Sequence, residues 1–188
     1  TLAEFPAFDC LVYGEGEVTL GELCQRVADH RGDLDLPGLV WREDGKIVKN
    51  PPRALVADLD TLPFPARDLL DYRAQPGHST RGFSNKILST ELFTSRGCPF
   101  GCSFCAIQTT FGNTVRFRET PFIQQEVDQI VRDHHFNHVV IADDTFTLKK
   151  DRAFAICDIL GQSGIASWNC DTRVNTVSRE LLLAMKKS

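Results

Sequence analysis

Residues 95–105 read Ser-Arg-Gly-Cys-Pro-Phe-Gly-Cys-Ser-Phe-Cys and contain three cysteines, namely Cys98, Cys102 and Cys105. The cysteine spacings of four and three residues, interrupted by Pro99 and Gly101, do not suit one continuous strand or helix. A loop, in contrast, can curl around one object and direct three thiolates towards it. Thiolates are soft ligands that suit zinc or an iron–sulfur cluster.

The number of cysteines in this loop leaves one ligand position open. A closed structural zinc site takes four protein ligands, usually from two Cys-x-x-Cys pairs. Within 24 residues on either side, the only other cysteine or histidine is His78, which lies at the far end of a predicted linker. An open metal position is typical of a catalytic site, and the sequence therefore favours catalysis over a purely structural metal.

The chain around and after the cysteine loop alternates between strand-like and helical segments. The strand-like stretches are residues 87–95, 139–142 and 168–174. The helices are expected to open at Thr120 as N-cap, at Asp151 and at Ser178. Three successive strand–helix units predict a parallel sheet with right-handed crossovers. Since active residues of such sheets lie at the C-terminal ends of strands, we expect the cysteine loop and Asp143-Asp144 at one edge.

The N-terminal part of the chain is predicted to be a separate α/β segment. Residues 8–13 are apolar and strand-like, and the sequence Gly-Glu-Gly-Glu at 14–17 predicts a turn after them. Thr19 and Glu22 have the spacing of a capping box, which opens a helix expected to end near Gly32. The predicted apolar face of that helix is Leu20, Leu23, Val27 and Ala28.

A β-hairpin and a linker are predicted to complete this segment. Asp44-Gly45 is flanked by strand-like residues 38–42 and 46–48, and Asp-Gly is a favoured two-residue hairpin turn. Prolines and glycines then interrupt the chain repeatedly. The resulting domain prediction is an α/β segment at 1–50, a linker at 51–85 and a second domain at 86–188.

Composition excludes several classes of protein. The 21 basic and 25 acidic residues give a net charge of −4, which argues against a general nucleic-acid binder. No apolar run approaches the roughly 18 residues of a membrane span, and no secretion signal opens the chain. We therefore expect a cytoplasmic protein with no membrane or nucleic-acid partner. The chain starts without Met and stops within a predicted helix, so we expect an excerpt of a longer protein.

The pattern Cys98-x-x-x-Cys102-x-Phe104-Cys105, placed after a strand that opens a βα array, resembles the radical S-adenosylmethionine (radical SAM) enzymes. The resemblance implies that the cysteines hold three irons of a [4Fe–4S] cluster and that S-adenosylmethionine (SAM) chelates the fourth. It also implies one-electron cleavage of the SAM S–C5′ bond to a 5′-deoxyadenosyl radical, with flavodoxin or ferredoxin as electron donor. Phe104 is then expected to lie against the cofactor.

The resemblance suggests further cofactor contacts. Asp143 and Asp144 follow the second predicted strand, where family members carry a motif that hydrogen-bonds the substrate ammonium. An ordinary acidic helix cap is the alternative interpretation of these two residues. Arg173 lies on the predicted polar face of the third strand, with Asn169 and Asp171, and is expected to contact the cofactor or the substrate.

Three other segments resemble the radical SAM subgroup in which a cobalamin-binding domain precedes the radical core; they are residues 9–19, 38–41 and 63–68. The resemblance implies that residues 86–188 are the first half of a partial (β/α) barrel. Residues 1–50 are then the C-terminal remnant of a Rossmann-like cobalamin-binding domain. The corrinoid-contacting loops and the fourth strand of the adenosine site are absent, so cobalamin is expected only in the full-length parent.

The leading hypothesis is a radical SAM enzyme that performs cobalamin-dependent methylation or rearrangement of a small molecule. One alternative is a methylthiotransferase acting on tRNA or a ribosomal protein, although a second cysteine trio and an RNA-binding tail are not seen in this sequence. A non-catalytic iron–sulfur or zinc module is the other alternative. Metal analysis separates a zinc module from the radical SAM hypothesis, because zinc without sulfide is incompatible with radical SAM chemistry.

Overall fold

The computed structural model describes residues 2–71 and 87–188. These residues belong to two compact units, one formed by 2–57 with 98–114 and the other by 58–71 and 87–97 with 115–188. Residues 72–85, the second part of the predicted linker, lie outside the described residues. The domain boundaries proposed from the sequence therefore stay predictions.

The first unit contains a three-stranded antiparallel sheet and two helices. Strands β1 (Cys10–Val12), β2 (Leu39–Glu43) and β3 (Lys46–Lys49) pair in that order. Helix α1 (Glu17–Ala28) follows β1, and the short helix α2 (Ile107–Phe111) follows the cysteine loop. The predicted hairpin is confirmed: Asp44 and Gly45 both have positive φ, as a two-residue turn between twisted strands requires.

The predicted capping box at the start of α1 is wrong. The helix already begins at Glu17, so Thr19 lies within its first turn. The Thr19 hydroxyl donates to the Pro37 carbonyl (2.8 Å) and accepts from Arg53 Nε (2.8 Å), while the Glu22 carboxylate accepts from the same guanidinium. Partners far along the chain thus replace the local reciprocal bonds that the spacing predicted.

The rest of the α1 prediction also needs correction. The helix ends at Ala28, not near Gly32, and His30 follows in the left-handed region at φ 55°. Leu20 and Val27 are exposed, so the predicted apolar face is not a core face in the described part of the chain. Periodicity identified the helix but not the surface that it covers.

The second unit is built on three parallel strands. They are β4 (Ser89–Leu92), β7 (His138–Ile141) and β8 (Ser167–Cys170), in the order β4-β7-β8. Helices α3 (Thr120–Arg132), α4 (Lys150–Ser163) and α5 (Arg179–Lys187) accompany them, and β5 (Ser95–Arg96) pairs antiparallel with β6 (Arg116–Phe117). The prediction of a parallel α/β sheet is confirmed.

Local signals at the helix ends mostly agree with the structure. Ser178 Oγ accepts from the Leu181 N–H and caps α5, as predicted, and α4 ends at Gly164, which has φ 87°. The N-cap of α3 is Glu119, so the prediction of Thr120 was wrong by one residue. The third predicted strand is shorter than expected: β8 ends at Cys170, and residues 174–176 form a 3₁₀ turn.

The core of the second unit lies between the sheet and its helices. On α3, Ile123, Val127 and Ile130 are fully buried, and Val131 is partly buried against the same core. Burial of each such side chain contributes about 1.5–3 kcal/mol. The other large members of the core are Leu92, Phe136, Val139, Ile141, Phe146, Ile156, Leu160, Ile165 and Leu181. No helix among the described residues is long and apolar enough to cross a membrane.

Candidate cofactor site

The cysteine loop runs without strand or helix from Cys98 to the start of α2. Cys98 is buried, Cys102 is half-buried and Cys105 is exposed. The Cys98 N–H donates to the Gly112 carbonyl (3.4 Å), and the Cys105 N–H donates to the Cys102 carbonyl (3.1 Å). Backbone contacts therefore fold the loop back on itself and leave its last cysteine at the surface.

Helix α2 supports the cysteine loop through hydrogen bonds of its Gln108 side chain. The Gln108 side-chain amide donates to the carbonyls of Cys98 (3.4 Å) and Phe100 (3.2 Å). Phe104, which the resemblance places against the cofactor, is 90% exposed. The sequence analysis did not identify Gln108, because no local signal indicates that its side chain bonds a carbonyl ten residues earlier.

The donor set of the loop fits a cluster better than a single ion. Among the described residues, no three His, Cys, Asp or Glu side chains are grouped closely enough to hold one metal ion. A [4Fe–4S] cluster has a different requirement, because its cysteines bind separate irons and their sulfurs need not converge on one point. Three thiols on a single loop with one cysteine exposed meet that requirement. The assignment of Cys98, Cys102 and Cys105 as its ligands stays a prediction.

Asp143 lies just beyond the end of β7 and is saturated with hydrogen bonds. One carboxylate oxygen accepts from the N–H groups of Thr94 (2.7 Å) and Ser95 (2.8 Å). The other accepts from the Ser95 hydroxyl (2.7 Å) and from the Thr94 hydroxyl. Burial raises the pKa of Asp143, while these hydrogen bonds and the Arg152 guanidinium, 3.9 Å away, favour the carboxylate.

Asp144 also accepts a hydrogen bond from the segment that precedes Cys98. Its Oδ2 accepts from the Gly97 N–H at 3.0 Å. Partial burial raises the pKa of Asp144, and the Gly97 hydrogen bond opposes that shift. Neither acid caps a helix, because the N-caps that follow are Thr145 and Lys149. The alternative interpretation as an acidic helix cap is therefore wrong.

Arg173 lies at the start of the 3₁₀ turn that follows β8. Its carbonyl accepts from the N–H (3.1 Å) and the hydroxyl (2.8 Å) of Thr176, and its side chain is half-buried. Asn169 Oδ1 lies 2.8 Å from the Nε2 of buried His138. Asn169, one member of the predicted polar face, is thus hydrogen-bonded to the neighbouring strand, and the contact of Arg173 with a cofactor or substrate stays a prediction.

A buried ion pair in the second unit was missed by the sequence analysis. Arg67 Nη2 lies 2.7 Å from Glu126 Oε1, and their side chains are 1% and 2% exposed. Arg67 also donates to Thr90 Oγ1 (3.0 Å) and to the Glu91 carbonyl (2.7 Å). These contacts tie the segment that contains Arg67 to α3 and β4. The available signal was an arginine that directly follows the apolar sequence Pro-Phe-Pro-Ala.

Comparison with known families agrees with the cysteine pattern and the α/β fold. The model of the Radical SAM superfamily matches residues 92–188, which include all three cysteines of the loop. This chain belongs to the radical SAM superfamily. The resemblance predicted from the sequence is thereby confirmed at the level of the family.

Curated relatives of this radical SAM chain extend the match to its N-terminal part. The uncharacterized methyltransferase PH0819 of Pyrococcus horikoshii is 34% identical over 191 residues, covering 100% of this chain and 39% of the relative. The anaerobic magnesium-protoporphyrin IX monomethyl ester cyclase of Rubrivivax gelatinosus is 29% identical over 184 residues, covering 95% and 32%. The chain thus spans about a third of the length of these relatives.

Solved radical SAM structures share the fold. The cobalamin-dependent S-adenosylmethionine radical enzyme OxsB superposes with a TM-score of 0.66 at 21% identity, over 99% of this chain and 26% of that chain. The methyltransferase TsrM from Kitasatospora setae, with cobalamin and a [4Fe–4S] cluster bound, gives a TM-score of 0.58 at 18% identity, over 90% and 38%. At these identities the likeness concerns the fold alone.

Proposed function

We propose that this chain is the part of a radical SAM enzyme that holds a [4Fe–4S] cluster through Cys98, Cys102 and Cys105 and binds SAM at the remaining iron. The observation that carries the proposal is the position of the cysteine trio within the superfamily match at 92–188. Reductive cleavage of SAM to methionine and a 5′-deoxyadenosyl radical is the chemistry that a bound cluster would supply. The electron would come from a flavodoxin- or ferredoxin-type donor.

The residues of the chain would bind and orient this group. Burial of Cys98 keeps water from one side of the loop, while exposed Cys105 and Phe104 leave the other side accessible. Arg173 is a proposed contact for a carboxylate of SAM or the substrate, since its guanidinium provides a forked donor. A direct ammonium contact from Asp143 and Asp144 has less support, because five hydrogen bonds from residues 94–97 already occupy these acids.

The same proposal extends to architecture and reaction class. The three parallel strand–helix units would be the first half of a partial (β/α) barrel, and the first unit a remnant of a cobalamin-binding domain. The likeness to OxsB over nearly the whole chain supports this arrangement. The relatives named methyltransferase and cyclase support cobalamin-dependent methylation or rearrangement of a small molecule by the longer protein.

The test is anaerobic reconstitution of the chain with iron and sulfide, followed by metal and sulfide analysis. Electron paramagnetic resonance (EPR) of the dithionite-reduced sample is recorded with and without SAM. We expect a reduced [4Fe–4S] signal that changes when SAM is added, and its loss on substitution of any one cysteine of the trio by alanine. Cys157→Ala, at a buried position of α4, is the matched control and should retain the cluster. Zinc without sulfide, or unchanged iron in a trio variant, contradicts the proposal.

A further inference from the structure

Two consecutive carboxylates hold the backbone of the stretch that leads into the cysteine loop. Asp143 Oδ1 accepts from the N–H groups of Thr94 and Ser95, and Asp144 Oδ2 accepts from the N–H of Gly97. Three of the four amides in residues 94–97 therefore bind these two acids. We infer that Asp143 and Asp144 are positioning residues, which set the backbone path into the first cysteine of the trio.

The contacts to Asp143 leave it no capacity for a ligand. A carboxylate has about four lone-pair sites, and Asp143 already accepts four hydrogen bonds from Thr94 and Ser95. An ammonium group would have to displace one of them in a fully buried setting, where a donor left without an acceptor is destabilising. Asp143 therefore acts on neighbouring residues and does not reach an exogenous group.

The carbonyl oxygen of Thr94 is hydrogen-bonded as well. It is fully buried, and its carbonyl accepts from the Arg118 N–H (2.9 Å) and from the Arg152 guanidinium. Arg152 also lies 3.9 Å from Asp143, so acid, threonine and arginine form one connected group. This group fixes the departure point of residues 94–97 from the parallel sheet.

Gly97 is the residue at which the position of the backbone matters most. Its φ of 95° lies in the region that side chains with a Cβ rarely adopt, and its N–H bonds Asp144. Its carbonyl carbon is bonded to the nitrogen of Cys98, so a rotation at Gly97 redirects the first cysteine. The hydrogen bond to Asp144 is a contact that supports this unusual conformation.

The inference rests on the proposed function only where it concerns the cluster, and one pair of variants tests it. Asp144→Asn keeps an oxygen that can accept from Gly97, whereas Asp144→Ala removes the acceptor. A positioning role predicts that the asparagine variant behaves like the wild type and the alanine variant does not. An ionic contact to SAM predicts that both variants fail.

Two measurements are made on each variant. Amide hydrogen exchange of Gly97, followed by NMR in the chain without cluster, should accelerate roughly tenfold or more in Asp144→Ala, as loss of a bond to a charged acceptor requires. The g-values of the reduced cluster, and their change with SAM, should be altered in Asp144→Ala and native in Asp144→Asn. Asp158→Ala, at an exposed position of α4, is the control and should change neither measurement.

Each result decides the matter. The inference is overturned if the Gly97 amide of Asp144→Ala exchanges at the wild-type rate. It is also overturned if Asp144→Asn loses the response of the cluster to SAM while its Gly97 amide exchanges at the wild-type rate. A wild-type chain without any cluster refutes the proposed function instead, while the exchange data still test the contact. If Asp144→Ala does not fold, Asp143→Asn is used in its place. The asparagine amide can accept from the N–H groups of Thr94 and Ser95 and donate to their hydroxyls. The reduced cluster of this variant should therefore have native g-values, and altered g-values contradict a positioning role.

Discussion

Arg67 and Glu126 offer the clearest test of how the second unit is held together. Both side chains are almost completely buried, and Arg67 Nη2 lies 2.7 Å from Glu126 Oε1. Substitution of Arg67 by methionine keeps most of the buried chain length but removes the charge. It leaves Glu126 without this counter-ion and also removes the donors to Thr90 and Glu91.

The magnitude follows from burial. Removing one partner of a buried ion pair costs about 3–5 kcal/mol, because the remaining charge is desolvated without compensation. For a chain of this size, such a loss lowers Tm by roughly 10 °C. The exposed pair Arg132–Asp133, with side chains 74% and 44% exposed, is the matched comparison at the end of α3. Arg132→Met should cost less than about 1 kcal/mol.

The assay is urea unfolding followed by circular dichroism, with the double variant Arg67→Met/Glu126→Leu as the decisive sample. When both charges are absent, no buried charge is left alone, so the double variant should be more stable than Arg67→Met. A double variant as unstable as the sum of the two single variants would refute the reasoning. A loss below about 1 kcal/mol in Arg67→Met would do the same.

Two further predictions concern the core and the buried thiols. Ile156→Ala, at a fully buried position of α4, should lower the free energy of unfolding in urea by about 2–5 kcal/mol. Leu182→Ala, at an exposed position of α5, should lower it by less than about 1 kcal/mol. Equal losses would contradict the assigned core. Burial raises the pKa of Cys170 from 9.0 to about 12, so its thiol should react with iodoacetamide at pH 8 far more slowly than exposed Cys24. Because the pKa is higher in the folded state, the stability that this thiol contributes is complete below about pH 9 and is lost towards pH 12. Cys170→Ala should lack this decline, and an equally steep decline would contradict the assignment.

Features of the fold that depend on local sequence were predicted well. Asp44-Gly45 specifies a two-residue turn because both positions take positive φ. The spacing of Ile123, Val127 and Ile130 defines one face of a helix whatever packs against it. The family was recognisable for a similar reason, since the cysteine spacing of the loop is contained in a few consecutive residues.

Contacts between distant parts of the chain were not predictable in this way. The capping box failed because Arg53 lies 34 residues beyond Thr19 in sequence but adjacent to it in space. Arg67 was similarly unrecognised, since its partner Glu126 is 59 residues away. In both cases the sequence contains a charged or polar residue, and only the fold reveals which group satisfies it.

Asp143 and Asp144, which follow β7, were predictable in part. The register of the parallel sheet determines which residues lie beside them. Leu92 is paired with Ile141, and the Ala142 N–H donates to the Leu92 carbonyl (3.0 Å) one step further. Continuing the two parallel strands by two residues brings Asp143 beside Thr94 and Ser95. The placement of these acids at the strand end was therefore correct, and the same geometry gives them backbone partners. A carboxylate at the end of a parallel strand should thus be compared first with the amides of the neighbouring strand, and with a ligand only when those amides are bonded elsewhere.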